Sequence, residues 1–402
     1  MHSKVWCVMF KCGWLAGGIN ISENPSRSVM PCCHVDKLDP KNHVLIHNGK
    51  DLINGDTLKQ MRKDAVNGIT PELCKMCVSK EKLGIDTPRL RSIREFNNKG
   101  IVKEVLEPSD VEVLYLKFSN LCNFKCVMCG PQSSSMWYKD WAKVHSTDHF
   151  YDSGTKINMS DGSKQNRKDR ESDYDWWESE HFWEQLDTHK EQLQHVYLVG
   201  GEPMLVEPHY KFLQKLIDSG ISKNVVLEYD TNITNVHQRA IDQWKHFKKL
   251  MLRVSIDDFG EQNDYIRFPS KWYKLNENIQ RIKELVPNTQ IEISITWQML
   301  NAFTVLNLLD HFKQYHINIR ILSHPVHMDT KHLPKQAKLD IIDMYTNSVH
   351  KDKLSHLINY LNNTLDYEDN CYLCIDFLEK LDEIRGTDWK KTFIELHKSI
   401  NT

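Results

Sequence analysis

The sequence predicts an α/β protein, with a parallel sheet of six strands joined by helices, a small cysteine-rich α+β unit before it and helices after it. Three observations predict this. From about residue 111, short β-rich runs alternate with helical patterns. The eleven cysteines collect mostly in tight groups instead of spreading along the 402 residues. Beyond residue 325 the pattern is wholly helical.

Composition bounds the function classes. The hydrophobic share is 40% and the charged share 26%, ordinary values for a globular chain, which argues against global disorder or a fibrous repeat. The formal net charge of −2 leaves no strong electrostatic footprint for nucleic acid. Mean hydropathy is −0.55. No apolar run approaches the ~20 residues that a membrane span needs. An odd cysteine count in a long chain does not fit a secreted disulfide scaffold. The close spacings suggest thiolates kept reduced, on metal, in a cytoplasmic compartment. The apolar run 5–10 is broken by Lys11 and no A-x-A pattern follows, so it reads as mature protein and not as a signal peptide.

Residues 1–100 form the first unit. Turn pairs such as Gly17-Gly18, Asn24-Pro25 and Asn48-Gly49 punctuate it, and Leu58, Met61 and Ala65 predict a helix over 56–66. So irregular a unit buries little apolar surface, and a metal staple would help hold it. The second unit, 108–325, carries strands over 111–119, 195–199, 225–230, 250–256, 290–296 and 317–322. Helices are expected over 136–145, 208–218, 236–247, 275–285 and 303–314. These strands read as mostly apolar and so as buried on both faces. Periodicity alone does not separate an open sheet from a partial barrel. The polar stretch 152–175 reads as a solvated loop or a lid. The third unit, 326–402, is expected to be helical over 339–349, 353–361 and 371–385.

The strongest chemical signal is the triplet Cys122, Cys126, Cys129, a C-x3-C-x2-C directly after the first strand of the second unit. Soft thiolates this close favour zinc or an iron–sulfur cluster. Zinc usually takes four ligands as two separated pairs. Three cysteines on one loop suit a [4Fe–4S] cluster whose fourth iron stays open. After the next strand comes Gly200-Gly201-Glu202-Pro203. Two glycines permit close backbone approach, and Glu202 can bind an ammonium group.

These motifs resemble the radical S-adenosylmethionine superfamily. The resemblance implies a partial (β/α)6 TIM-like barrel. It implies that Cys122, Cys126 and Cys129 hold the catalytic [4Fe–4S] cluster, and that the turn at 200–203 meets the methionine amino group of S-adenosylmethionine. Further matches fall at strand ends. Asn232 follows Thr231, with Ile233 where relatives carry glycine. Ser255 and Asp257 match a Ser-x-Asp, and Arg267 matches an arginine that pairs with the cofactor carboxylate. Met128 stands where relatives often place an aromatic, whose backbone touches adenine. The implied reaction is reductive cleavage to methionine and a 5′-deoxyadenosyl radical, which takes a hydrogen atom from the substrate. The implied substrate is a peptide or protein side chain, or else a sugar, nucleoside or small metabolite. A reductant such as flavodoxin or ferredoxin is implied, and neither nucleic acid nor a membrane is expected as a partner. A non-catalytic iron–sulfur or zinc protein is the competing reading.

The first unit resembles the Twitch or SPASM auxiliary-cluster module, here preceding the core. The resemblance rests on Cys12, Cys32-Cys33, Leu58, Arg62, Cys74, Cys77, Glu81, Gly84 and Arg89. It implies a second, auxiliary [4Fe–4S] cluster on Cys12, Cys32, Cys74 and Cys77. Cys33 could replace Cys32, and Cys7 is a weaker candidate. A structural zinc fits the same spacing. Cys371 and Cys374 read as thiols on a helix face.

Overall fold

The computed structural model describes residues 11–21, 29–30, 32, 56–82, 87–99, 111–152, 155–166 and 180–400. Cys7, Cys33, Gly84 and much of the expected lid lie outside the described residues.

The first described strands are β1 (Gly18–Ile21) and β2 (Val29–Met30), followed by β3 (Val113–Lys117). Three short strands come next: β4 (His149–Asp152), β5 (Thr155–Asn158) and β6 (Lys164–Asn166). The main series then runs β7 (His195–Val199), β8 (Val226–Thr231), β9 (Lys249–Ser255), β10 (Thr289–Trp297) and β11 (His316–Ile321). The large sheet has the order β11-β10-β9-β8-β7-β3-β1-β2. Every pairing in it is parallel except β1 with β2. The six expected strands are all present and lie side by side in chain order. A doubly wound sheet reverses its order at a switch point, whereas this steady succession is that of an α/β barrel wall. The fold is therefore α/β with the strand succession of a partial barrel.

Two features of the large sheet differ from the sequence expectation. The first is the edge of the sheet. β1 comes from the cysteine-rich segment and extends the parallel sheet beside β3, with Gly18 opposite Val113 and Asn20 opposite Tyr115. The second is the strands themselves, which are not apolar on both faces. One face carries Leu114, Leu116, Val196, Leu198, Leu227, Leu252, Val254, Ile293 and Ile295, all buried in the main core. The other carries Tyr115, Tyr197, Glu228, Asp230, Arg253, Ser255, Ser294, Thr296 and Arg320. The register places these on one face, since Tyr115 pairs with Tyr197, Tyr197 with Glu228, Asp230 with Arg253, Ser255 with Ser294 and Thr296 with Arg320. The period-2 alternation of β11 (HINIRI) states this directly.

Helices cover the apolar face. Glu207–Asp218 buries Tyr210, Phe212, Leu213 and Leu216, and Trp272–Leu285 buries Leu275, Ile279 and Ile282. Each such side chain contributes about 1.5–3 kcal/mol. Helices Gln238–Trp244 and Val305–His311 are shorter than their patterns suggest, and Glu180–His189 is an addition to them. The stretch read as a loop at 152–175 is partly ordered as an antiparallel sheet, β4-β5-β6. Its Ile157 and Met159 pack on Tyr138, so it sits against the helix Tyr138–His145. The C-terminal helices are Lys335–Thr346, Lys351–Asn363 and Cys371–Arg385. Among the described residues, no helix is long and apolar enough to cross a membrane.

Candidate functional site

The cysteine triplet lies on the loop after β3, at the carboxyl end of the sheet, where α/β folds place their ligands. Three sets of contacts hold this loop. The first comes from the turn after β7. The Gly201 amide donates to the Ser119 carbonyl at 3.1 Å, and the Glu202 amide to Leu121 at 2.8 Å. A Cβ on Gly201 would collide with the Leu121 carbonyl. Gly200 has φ +143°, and a Cβ there would lie 2.8 Å from the Ser119 carbonyl. The two glycines thus serve an approach to the protein's own cysteine loop, a role that the spacing alone did not reveal.

The second set comes from the segment after β9. The Lys125 amide donates to Phe268 at 2.7 Å and the Val127 amide to Ile266 at 2.8 Å. These bonds bring Arg267 to the triplet. Arg267 is buried and paired with Asp257 at 2.8 Å. Asp257 also accepts from the Thr296 amide at 2.7 Å, which ties the pair to β10. The positive charge of Arg267 favours the thiolate forms of Cys126 and Cys129.

The third set is a buried ionic cluster absent from the sequence reading. Asp140 accepts from Lys125 at 2.7 Å and from Arg385 at 2.8 Å. Arg385 lies over the rings of Trp137 and Phe268, and the Trp137 indole N–H donates to the Cys126 carbonyl at 2.9 Å. The last residue of a C-terminal helix therefore reaches the cysteine loop. A lysine inside the triplet was its one visible sign.

Glu202 is 1% exposed and joins the turn to the end of β8. It accepts from the Thr231 hydroxyl and the Asn232 amide, each at 2.8 Å. Burial pushes its carboxyl up to about 7 against those bonds. The Asn232 side chain donates to Asn123, inside the triplet, at 2.8 Å, and Asn123 donates to Thr234 at 2.9 Å. Ile233 takes the positive φ of 56° that a glycine would have filled freely. Pro203 opens a short 3-10 turn capped by Glu202. Ser255 is half-buried at the end of β9, and Met128 is half-buried against the core. Asn123 and Thr234 are framework residues that motif reading missed. They sit one or two positions from motif residues, where only tertiary contacts mark them.

The donor set fits an iron–sulfur cluster. Burial and the neighbouring Cys126 push the Cys122 thiol up to about 12. Cys126 and Cys129 share a hydrogen bond, so one thiol suppresses ionisation of the other. Crowded thiols of this kind are relieved when a cationic group displaces their protons. Among the described residues, no three His, Cys, Asp or Glu side chains close around a single metal ion. Cys122, Cys126 and Cys129 are the residues that could hold such a cluster.

In the N-terminal segment, Cys12, Cys74 and Cys77 interact electrostatically with one another or with a shared Arg89. Burial, Cys12 and Cys77 push the Cys74 thiol up to about 12. Arg89 pairs with Glu81, and Arg62 donates to the Leu15 carbonyl at 3.0 Å, which gives these motif residues structural work. Cys32 is half-buried against the core. Cys374 is buried on the helix Cys371–Arg385, and burial pushes its thiol up to about 12.

No family model and no curated protein sequence matches this chain. Solved structures overlap it in part. Native anSMEcpe with bound AdoMet and Cp18Cys peptide shares 14% identity over 61% of each chain, with a TM-score of 0.36. Streptococcus suis SuiB bound to S-adenosylmethionine shares 14% identity over 74% of this chain and 63% of that one, with a TM-score of 0.36. SuiB bound to precursor peptide SuiA shares 11% identity over 74% and 60%, with a TM-score of 0.35. The chain thus spans about three fifths of each of these proteins. Overlap this partial assigns no residue, and the fold rests on the strand order described above.

Proposed function

We propose that this chain is a radical S-adenosylmethionine enzyme, with Cys122, Cys126 and Cys129 holding a [4Fe–4S] cluster and the cofactor binding beside it. One observation carries the reading. The three thiols, the 200–203 turn and Arg267 come from separate strand ends, and hydrogen bonds bring them together at the carboxyl edge of an in-order parallel sheet. An electron carrier needs the thiols and has no use for the rest. The chemistry supplied by the bound, reduced cluster is one electron, which splits the sulfonium into methionine and a 5′-deoxyadenosyl radical.

The residues of the chain orient and exclude. Arg267 offers its guanidinium to a carboxylate, with Asp257 fixing its direction. Glu202 presents its carboxyl where an ammonium group would lower its proton affinity. Cys126, Phe124 and Val127 are buried, which would help keep water from a reactive intermediate. We assign Cys12, Cys74 and Cys77, with Cys32 or Cys33, to a second metal group. The units would be 1–100, 108–325 and 326–402. The substrate is a peptide or protein side chain, and a flavodoxin- or ferredoxin-type protein supplies the electron.

Anaerobic reconstitution with iron and sulfide, followed by dithionite and S-adenosylmethionine, tests this. Methionine and 5′-deoxyadenosine are expected in equal amounts. Cys126→Ala should abolish both, whereas Cys74→Ala should retain some cleavage but lose turnover. Neither product from a loaded cluster would leave a non-catalytic metal protein.

A further inference from the structure

The cysteine triplet lies against a buried group of charges that does not cancel. Lys125 and Arg385 both pair with Asp140, at 2.7 and 2.8 Å. Two cations on one carboxylate leave one positive charge over. Arg267 and Asp257, the other pair at the triplet, balance each other at 2.8 Å. Asp382, one turn before Arg385 on the same helix, is engaged elsewhere. It accepts from the Tyr265 hydroxyl at 2.9 Å and from the Trp389 amide at 2.7 Å.

Arg385 is held against the triplet from two sides. Its guanidinium lies over the Trp137 ring at 4.7 Å and the Phe268 ring at 5.2 Å. Both residues are bonded to the triplet loop. The Trp137 indole donates to the Cys126 carbonyl at 2.9 Å, and the Phe268 carbonyl accepts from the Lys125 amide at 2.7 Å. The Arg385 side chain is 2% exposed, so solvent screens its charge little. One of its nitrogens, Nη2, is buried and has no hydrogen-bond partner among the described residues. A buried cation with a spare donor is an expensive way to join a helix to a loop, because packed apolar side chains would do so without the desolvation penalty. The charge also acts on the triplet, since it favours the thiolate form of Cys126.

Reduction of a [4Fe–4S] cluster adds one electron and so one negative charge. Net charge, hydrogen bonding and solvent exposure around a cluster set its potential. We propose that Arg385, with Lys125, sets the reduction potential of the cluster held by Cys122, Cys126 and Cys129, the surplus positive charge favouring the reduced state. The proposal rests on the reading of the site as a radical enzyme and adds what prepares it to accept the electron. Arg385 acts through its charge and touches no reacting atom.

An EPR-monitored redox titration of the reconstituted full-length chain, with dithionite as reductant and no S-adenosylmethionine, tests this. The signal of the triplet is the one that Cys126→Ala removes. At the wild-type midpoint, the ratio of reduced to oxidised cluster should fall at least tenfold in Arg385→Met, about 59 mV for a one-electron couple. In Arg385→Lys it should fall less than threefold. Lys125→Met, at a side chain 16% exposed, should lower the ratio at least threefold. Asp140→Asn removes the carboxylate and should raise it at least threefold, a sign that loosened packing does not produce. Unchanged midpoints in clusters loaded to the wild-type level would overturn the proposal and leave Arg385 a structural staple. If Arg385→Met takes up no cluster, Lys125→Met and Asp140→Asn decide. Opposite shifts support the charge, and absent or same-sign shifts overturn it. Cleavage of S-adenosylmethionine by the wild type is scored separately, so an inactive protein with shifted midpoints fails the enzyme reading alone. A wild type that loads no cluster on the triplet overturns both.

Discussion

Gly201 shows how a motif acquires a meaning its letters do not carry. Its hydrogen is the only substituent that fits under the Leu121 carbonyl, and the turn is locked to the cysteine loop through Ser119 and Leu121. Gly201→Ala should cost about 2 kcal/mol or more by overpacking against backbone that cannot yield. A denaturant melt measures this, and the variant should also bind less iron. Glu202 makes a second prediction. Its folded pKa, about 7, lies above the unfolded value near 4.5, so the folded state holds the proton over that window. Stability contributed by the protonated carboxyl is therefore present below about pH 4.5 and is lost as pH rises to 7. The loss is roughly 3 kcal/mol by linkage. Unfolding curves at pH 5, 6, 7 and 8 should show this slope in the wild type and a flatter one in Glu202→Gln.

Among the elements, the strands have two unlike faces. Ile293 points into the helix-covered core, and its neighbour Ser294 lies on the polar face beside Ser255. Ile293→Ala should destabilise by about 2–4 kcal/mol through the cavity it leaves. Ser294→Ala should change stability by less than about 0.5 kcal/mol. A melt of both variants decides the orientation, because a one-residue shift in register would exchange the two outcomes. The alternation was legible in HINIRI and in TQIEISITW. Parallel strands are usually buried on both faces, but here the period-2 pattern prevails and one face is polar.

Across the whole molecule, the C-terminal helix is a part of the cysteine site. Arg385 and Asp140 are 245 positions apart in sequence and meet in a buried pair, with Lys125 of the triplet on the same carboxylate. Removing the guanidinium leaves that cluster broken inside the protein. Arg385→Met should cost about 3 kcal/mol, and Arg385→Lys should recover part of the loss, because it restores the charge without the planar fork stacked over Trp137. Denaturant unfolding with iron content as a second readout checks both variants. β1 makes the same point from the other end, since it carries the N-terminal segment into the central sheet beside β3.

Local sequence was sufficient for the series of six strands, the position of the triplet after the first of them, the helices 56–66 and 371–385, and the 200–203 turn. Each of these depends on periodicity or spacing within a few residues. Tertiary structure alone decided that the glycines face carbonyls of the cysteine loop, that Asn123 joins Asn232 and that Arg385 reaches Asp140. Those contacts join residues far apart in the chain, and such pairings become energetically defined only when the sheet brings strand ends together and removes their polar groups from water.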